Sequence, residues 1–171
     1  GPYKKPVIRA LNIHEVLERV RNLVEAETMG SIKIIRDYDP SLPEISGDLE
    51  QLIQAVLNIV RNAMQALTEN PHQQQPPQII LRTRAVTHAT VASVTHKLVV
   101  RIEIIDNGPG IPAHIIENIF YPLISGRAEG TGLGLSIAQN IIKNHAGLIE
   151  CESQPGRTRF MLSIPINAEG S

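Results

Sequence analysis

The sequence of 171 residues contains no tryptophan, and aromatic residues make up only 3% of it. A core of ordinary size must therefore be built from aliphatic side chains, which the 42% hydrophobic content can supply. Cys151 is the only cysteine, which excludes an internal disulfide and favours a cytoplasmic location. No motif marks Cys151 as reactive, so we expect it to be structural.

An excess of charge of one sign and a long apolar run are also absent. Sixteen basic residues balance seventeen acidic ones, giving a net charge of −1, so neither a nucleic-acid partner nor a membrane surface is expected. No apolar run reaches the length of a membrane span, and no secretory signal is recognisable. The opening Gly1-Pro2 is typical of a cleaved tag, which predicts a piece excised from a longer protein.

The hydrophobic periodicity predicts helices and strands that interleave along the chain. Asn12 and Asp48 are predicted N-caps of two amphipathic helices, and shorter helical patterns follow near 113–119 and over 132–145. Strands are predicted over 32–38, 79–87, 97–106, 148–153 and 158–164, with 70–78 as a loop and 87–96 as a hairpin connection.

This order of elements predicts the fold class and the domain limits. Because short turns join most strands after residue 78, we expect a two-layer α/β sandwich with a mixed, largely antiparallel sheet and helices on one face. Residues 1–11 are expected to be a tag remnant and linker, 12–166 one domain, and 167–171 a frayed tail.

The segment DNGPGI at 106–111 directly follows a predicted strand. Its glycines, Gly108 and Gly110, allow a sharp turn and the close approach of a flat ligand. The carboxylate of Asp106 can accept a hydrogen bond from an exocyclic amine such as adenine N6. The alternative is a tight turn in which Asp106 bonds only to local backbone.

The segment GTGLGLS at 130–136 places three glycines at alternate positions before a helical pattern. Such a loop presents unhindered backbone N–H groups at a helix start, and these can hold phosphates. It matches neither the Rossmann nor the P-loop pattern. The alternative is a flexible hinge.

Two asparagines lie inside the helix predicted to begin after Asp48. Asn58 and Asn62 are four residues apart, so they share one face of that helix. Asparagine is unfavourable in a helix interior, and its amide oxygen is a ligand suited to Mg²⁺. The alternative is that both are solvent-facing polar residues.

These three segments, in this order, resemble the N, G1 and G2 boxes of histidine-kinase catalytic domains, which share a superfamily with gyrase, the Hsp90 chaperone and MutL. The segment IFYPL at 119–123 resembles the F box, and GRTRF at 156–160 resembles the closing G-x-T-x-F strand. The resemblance covers about 12–166 and implies the Bergerat, or histidine-kinase ATPase-like, fold. RDYDPSLPEISGD and NIVRNAMQAL further resemble nitrogen-regulation sensor kinases of the NtrB type.

The resemblance implies ATP and Mg²⁺ as ligands and suggests a role for each motif residue. Asn62 is the implied Mg²⁺ ligand and catalytic residue, with Asn58 facing the same site. Asp106 is the implied reader of adenine, supported by Thr158, often through water. Residues 119–131 match a mobile lid over ATP, anchored by Phe120. Further nucleotide contacts are implied for Gly108, Gly110, Ile111, Gly130, Thr131, Gly132, Leu133, Gly134 and Leu135.

Three positions bear on the chemistry. Gln65 stands where many family members have a phosphate-contacting Lys or Arg, and Ala66 where some have an aromatic residue. We expect Arg127 in the lid, or else Arg61, to supply the missing cation, with a catalytic role for Arg127. Asn58 stands where gyrase-type, Hsp90-type and MutL-type ATPases carry a catalytic Glu, which favours phosphoryl transfer over hydrolysis.

A phospho-acceptor is missing from the sequence. His14-Glu15 lacks the following Pro of the family's H-E-[IL]-x-x-P-L motif, so His14 is expected to be a helix-surface residue. The resemblance therefore implies a separate dimerisation domain that carries the acceptor, a response regulator, and a PII-type signal protein as partners. The full-length protein is expected to be a homodimer and this domain alone a monomer. A gyrase-type ATPase and a degenerate nucleotide-binding regulatory module remain as alternatives.

Overall fold

The computed structural model describes residues 5–121 and 134–166. Within these ranges a five-stranded sheet packs against helices, beside a small two-stranded ribbon. The strands are β1 (Arg9–Leu11), β2 (Lys33–Asp37), β3 (Ile45–Gly47), β4 (Gln78–Val91), β5 (Val94–Asp106), β6 (Leu148–Gln154) and β7 (Arg157–Pro165). The helices are α1 (Ile13–Thr28), α2 (Leu49–Thr68), α3 (Ala113–Ile116) and α4 (Ser136–Asn144). None of the helices in the described ranges combines the length and apolarity that a bilayer crossing requires.

The main sheet has the strand order β2-β4-β5-β7-β6. β2 and β4 pair in parallel, whereas every other neighbouring pair is antiparallel. Rows of paired residues cross its inner face, for example Leu81, Ile104, Phe160 and Cys151. The predicted two-layer sandwich with a mixed, largely antiparallel sheet is confirmed.

The two long helices begin where the capping residues predicted. Asn12 Oδ1 accepts the N–H of His14 at 2.8 Å, and Asp48 Oδ1 accepts the N–H of Gln51 at 3.0 Å. α2 then buries a stripe of aliphatic residues at helical spacing, which fixes its orientation over the sheet. The stripe consists of Leu52, Ala55, Val56, Ile59, Val60, Ala63 and Leu67.

Alternating charges on the outer face of the sheet link all five of its strands. Asp37 in β2 accepts from Arg82 in β4 at 2.8 Å, and Arg82 lies 3.6 Å from Glu103 in β5. Arg159 in β7 bridges Glu103 at 3.2 Å and Glu152 in β6 at 2.7 Å. We call this row, Asp37-Arg82-Glu103-Arg159-Glu152, the charge ladder. Glu103 is buried between two guanidinium groups, so a shift in strand register would leave its charge unpaired.

The β4–β5 hairpin is longer than predicted. The segment 87–96, expected to be a connection, instead continues the strand pairing up to Val91 opposite Val94. Only Ala92 and Ser93 form the turn, with φ of 51° and 70°, which is typical of a type I′ turn. Such turns usually contain Asn or Gly, so the Ala-Ser pair carries no turn signal in the sequence.

Two short strands and one histidine also differ from expectation. β1 lies in the segment predicted to be a linker and pairs antiparallel with β3, which was not predicted. Both strands have three residues, too few to show a periodicity. His14 is half-buried rather than on the helix surface. Its Nε2 lies 2.8 Å from Thr83 Oγ1, its ring stacks on Tyr38, and burial lowers its pKa.

Replacing Ala92 with Asn and Ser93 with Gly should stabilise the domain by about 1 kcal/mol. Both positions adopt the left-handed conformation, which Asn and Gly tolerate better than Ala and Ser do. The free energy of unfolding in urea measures the effect. Ala89→Gly in the adjoining strand, where φ is not positive, is the control and should destabilise the domain. A double variant no more stable than the original chain would contradict the type I′ assignment.

Candidate nucleotide-binding site

A row of three polar side chains closes one end of the apolar inner face of the sheet. Asp106 in β5 pairs with Thr158 in β7, which in turn pairs with Ser153 in β6. We call these three residues the polar row. Asp106 and Thr158 are only 5% and 3% exposed, so their polar atoms face the interior and not bulk water. Strand register therefore brings together two residues predicted to recognise adenine and a third that was not predicted.

The Asp106 carboxyl group is held in a poorly solvated position. Burial raises its pKa to about 6, and the N–H of Gly108, which donates to Oδ1 at 2.9 Å, opposes this shift. A Cβ at position 108 would lie 2.9 Å from the same oxygen, so a larger residue there would have to displace the carboxylate. Gly110 has a φ of +89°, and a Cβ there would lie 2.8 Å from the carbonyl of Gln154.

Backbone and side-chain hydrogen bonds hold the 106–111 loop against the β6–β7 turn. The N–H of Gly156 donates to the carbonyl of Gly108 at 2.9 Å. The N–H of Ile111 donates to Ser153 Oγ at 2.8 Å, and Ser153 Oγ lies 2.7 Å from Thr158 Oγ1. The loop is thereby fixed at both ends of its glycine-rich part.

Asn107 holds the loop from the other side, and sequence reasoning missed this residue. Its Oδ1 accepts the N–H of Gln78 and its Nδ2 donates to the carbonyl of Pro76, both at 2.9 Å. The segment 70–78 is thus tied to the nucleotide loop, and the two border a groove of about 460 Å³. The Pro-rich and Gln-rich composition of 70–78 signals only a loop, not its partner.

Asn58 and Asn62 both present oxygens suited to a cation. Each Oδ1 is buried and has no hydrogen-bond partner in the described part of the chain. The Nδ2 of Asn62 donates to the carbonyl of Asn58 at 3.0 Å, which leaves the amide oxygen as the free end of the side chain. Amide oxygens without a donor fit a hard divalent cation such as Mg²⁺.

A small cavity joins Asn62 to the recognition residues. It is lined by Asn62, Ala63, Ala66, Asp106, Gly110, Ile111, Thr158 and Phe160. Within 5–121 and 134–166 there is no cluster of three or more His, Cys, Asp or Glu that could hold a metal. A cation at Asn62 would therefore take most of its ligands from water or from a bound molecule.

The described part of the lid region packs on the same end of the sheet. Phe120 meets Phe160 edge-on, with ring centroids 6.3 Å apart. The N–H of Leu135, which is fully buried at the start of α4, donates to the carbonyl of Ile119 at 3.0 Å. Gly134 immediately precedes it. Arg127, Gly130, Thr131, Gly132 and Leu133 lie outside the described residues.

Other candidates from the sequence are placed as follows. Arg61 forms an ion pair with Glu27 of α1, and Gln65 donates to Glu69 at 3.0 Å, so neither is directed at Asn62. Cys151 lies one row below the polar row, and burial raises its pKa to about 12, which agrees with a structural role.

Comparison with known families agrees with this geometry. Residues 47–168 match the family described as "Histidine kinase-, DNA gyrase B-, and HSP90-like ATPase". That stretch contains the polar row, both asparagines and the two glycine-rich segments. The chain belongs to this family.

Individual relatives narrow the class further. The chain is 51% identical over 166 residues to the sensory histidine kinase/phosphatase NtrB of Vibrio alginolyticus, covering 97% of this chain and 46% of that protein. The protein of the same name from Rhodobacter capsulatus is 41% identical over 169 residues, with the same coverage. The chain thus spans a little less than half the length of these relatives.

Solved structures give the same fold. The nucleotide-free catalytic domain of the histidine kinase ThkA is 26% identical, with a TM-score of 0.74 over 93% of this chain and 95% of that one. A second ThkA structure, in complex with the response regulator protein TrrA, has a TM-score of 0.71 and 25% identity over 96% of this chain and 43% of that one.

Asp106→Asn should remove a pH-dependent loss of stability. The pKa of folded Asp106 is about 6, above its ordinary value of 3.8, so only the folded state still holds this proton between these pH values. The free energy of unfolding of the original chain therefore falls as pH rises from about 4 to 6. Because Asn does not ionise, the variant should gain about 2 to 3 kcal/mol relative to the original chain over this range.

Denaturant unfolding between pH 4 and 7 measures this difference between the variant and the original chain. Glu44→Gln, which removes one exposed carboxylate, is the control for a change in net charge. A stability difference between Asp106→Asn and the original chain that stays constant over this range would contradict the raised pKa.

Proposed function

We propose that this chain is the phosphoryl-donor domain of a sensor histidine kinase of the NtrB type. It transfers the γ-phosphoryl group of ATP to a histidine on a separate dimerisation domain. The observation that carries this proposal is the Asn58–Asn62 pair, whose amide oxygens are buried without a hydrogen-bond partner in the described residues and in which Asn58 stands where hydrolytic members of the family carry a Glu. Among the residues lining the described cavity, Asp106 is the one carboxylate, and it lies at the buried strand end.

The polar row recognises the base in this proposal. Asp106 accepts a hydrogen bond from the exocyclic amine of adenine, and Thr158 supports the same edge of the ring. Gly108 and Gly110 let the loop turn tightly beside this edge, because a Cβ at these positions would meet Asp106 Oδ1 and the carbonyl of Gln154, respectively. The phosphates extend toward Gly134 and the start of α4, where the helix dipole favours negative charge.

α2 holds the group that binds the cation. Mg²⁺, when bound, offsets negative charge on the phosphoryl group during transfer. Asn62 Oδ1 would hold the ion, and Asn58 would offer a second oxygen one turn earlier. The hydrogen bond from Asn62 Nδ2 to the Asn58 carbonyl orients the ligand before the ion arrives, so little rotamer freedom is lost on binding.

The names of the relatives support the kinase class and one partner in this proposal, a response regulator. The curated relatives are named as sensory histidine kinase/phosphatases, and one structural neighbour was solved with a response regulator. We infer that the full-length protein is a cytoplasmic homodimer that phosphorylates a response regulator and responds to a PII-type signal protein. This domain alone is then a monomer that binds ATP and hydrolyses it very slowly.

Asn62→Ala should lower phosphoryl transfer by roughly 100-fold to 1,000-fold, because a preorganised group that supports charge in the transition state is lost. The measurement is transfer from labelled ATP to a separately supplied acceptor-histidine domain. The fold should tolerate the change, because the lost amide oxygen has no partner. Gln54→Ala, at an exposed position of the same helix, is the matched control and should transfer normally.

Three outcomes would contradict the proposal. Normal transfer by Asn62→Ala would remove its assigned role. Hydrolysis of ATP by the isolated chain at a rate comparable to transfer would favour an ATPase. ATP binding without transfer to any acceptor would identify a regulatory nucleotide-binding module.

Arg127→Ala should weaken phosphoryl transfer more than it weakens ADP binding, because the proposed contact is to the transferred group. Transfer kinetics and calorimetric titration with ADP separate the two effects. Arg61→Ala is the control, because Arg61 is paired with Glu27. Equal losses in transfer and ADP binding would show that Arg127 has no role specific to transfer.

A further inference from the structure

Ser153 is the third member of the polar row, and neither the motifs nor the family resemblance assigns it a role. We propose that Ser153 is a specificity-determining residue that fixes the direction of the Thr158 hydroxyl group. By doing so it selects adenine over purines whose hydrogen-bonding edge has the opposite pattern. This inference rests on the proposed function, since it concerns the base pocket of the same ATP site.

The direction of the hydroxyl depends on which oxygen donates in the Ser153–Thr158 hydrogen bond. Ser153 Oγ accepts the N–H of Ile111 at 2.8 Å. It also lies 2.7 Å from Thr158 Oγ1, a contact in which either hydroxyl can donate. In the proposed arrangement Ser153 donates, because only this leaves a Thr158 hydrogen for the N1 acceptor of adenine. The Thr158 oxygen then acts as acceptor toward Ser153, and its own hydrogen is free to point into the cavity.

The cavity already contains an acceptor beside this donor. Thr158 is paired with Asp106 across the β5–β7 register, and both line the same cavity. The pocket thus presents a carboxylate acceptor and a hydroxyl donor side by side. Adenine offers the complementary pattern, an amine donor at N6 next to an acceptor at N1.

Hypoxanthine has the opposite pattern at the same edge. It carries an oxygen acceptor at C6 and an N–H donor at N1, so its oxygen would face the Asp106 carboxylate and its N–H would face a donor. A site built from fixed hydrogen-bond partners rejects such an analogue strongly. Without Ser153, the Thr158 hydroxyl can rotate and accept from the N1–H of hypoxanthine. One of the two mismatches that reject hypoxanthine is then removed.

A purely structural role for Ser153 makes a different prediction. Ser153 also holds the N–H of Ile111, so its removal could simply loosen the 106–111 loop. Loosening would weaken every nucleotide by a similar factor. The ratio of dissociation constants for inosine triphosphate and ATP therefore separates a specificity role from a structural one.

The experiment is calorimetric titration of the whole chain with ATP and with inosine triphosphate, each with Mg²⁺. In Ser153→Ala the ratio of the two dissociation constants should fall roughly threefold to tenfold, the worth of one hydrogen bond. Ser153→Thr keeps the hydroxyl and should preserve the ratio. Ser163→Ala, which removes a buried hydroxyl of β7 on the outer face, is the matched control and should preserve it too.

A double-variant cycle tests the route through Thr158. Thr158→Val should lower the ratio as Ser153→Ala does, and combining the two should lower it no further, because both remove the same donor. If Ser153→Ala does not fold, Ser153→Cys, whose thiol donates weakly, replaces it in the cycle. Additive losses in the double variant would overturn the proposed route.

The outcomes distinguish this inference from the proposed function. An unchanged ratio in Ser153→Ala, with ATP still bound by the original chain, overturns the inference and leaves the proposed function intact. Failure of the original chain to bind ATP overturns both. A lowered ratio in Ser153→Ala together with a preserved ratio in Ser153→Thr supports the specificity role.

Discussion

The pairing of β5 with β7 is the constraint on which the rest of the site depends. It places Asp106 opposite Thr158, and the pairing of β7 with β6 adds Ser153 to the same row. Because side chains alternate between faces, a slip of one residue would turn Asp106 to the outer face and leave the pocket without its acceptor. On that outer face Glu103 lies between Arg82 and Arg159, which makes such a slip costly. The ion pairs on the outer face thus hold the strands in the register that forms the polar row on the inner face.

The site contains several buried polar groups that lack some or all of their hydrogen-bond partners among the described residues. Asp106 is buried with one backbone donor, and the amide oxygens of Asn58 and Asn62 are buried with none among the described residues. Each such group lowers the stability of the domain. Each also matches one part of a bound nucleotide, the base for Asp106 and the cation beside the phosphates for the asparagines. In the proposed function, ligand binding therefore supplies the missing partners and stabilises the fold.

Local sequence signals predicted most helices and strands. Contacts between residues that are distant in the sequence could not be predicted. Asn12 and Asp48 mark the helix starts because capping is a property of a few adjacent residues. The true length of the β4–β5 hairpin was missed because Ala92-Ser93 lacks turn residues. Ser153 and Asn107 were missed because their partners lie in other strands and loops. The implied roles of Arg127 and the 130–133 residues remain predictions.

The charge ladder has one further consequence, which concerns how a ligand approaches. Its members alternate in sign from β2 to β6, so each of its two guanidinium groups lies between two carboxylates and the ladder carries a formal charge of −1. The ladder itself therefore does not attract a strongly anionic molecule. On the opposite side of the domain the first turn of α4 contains no acidic residue, and its helix dipole favours an anion at short range. The charge ladder therefore does not favour anions on the outer face, whereas the start of α4 favours them on the side of the binding site.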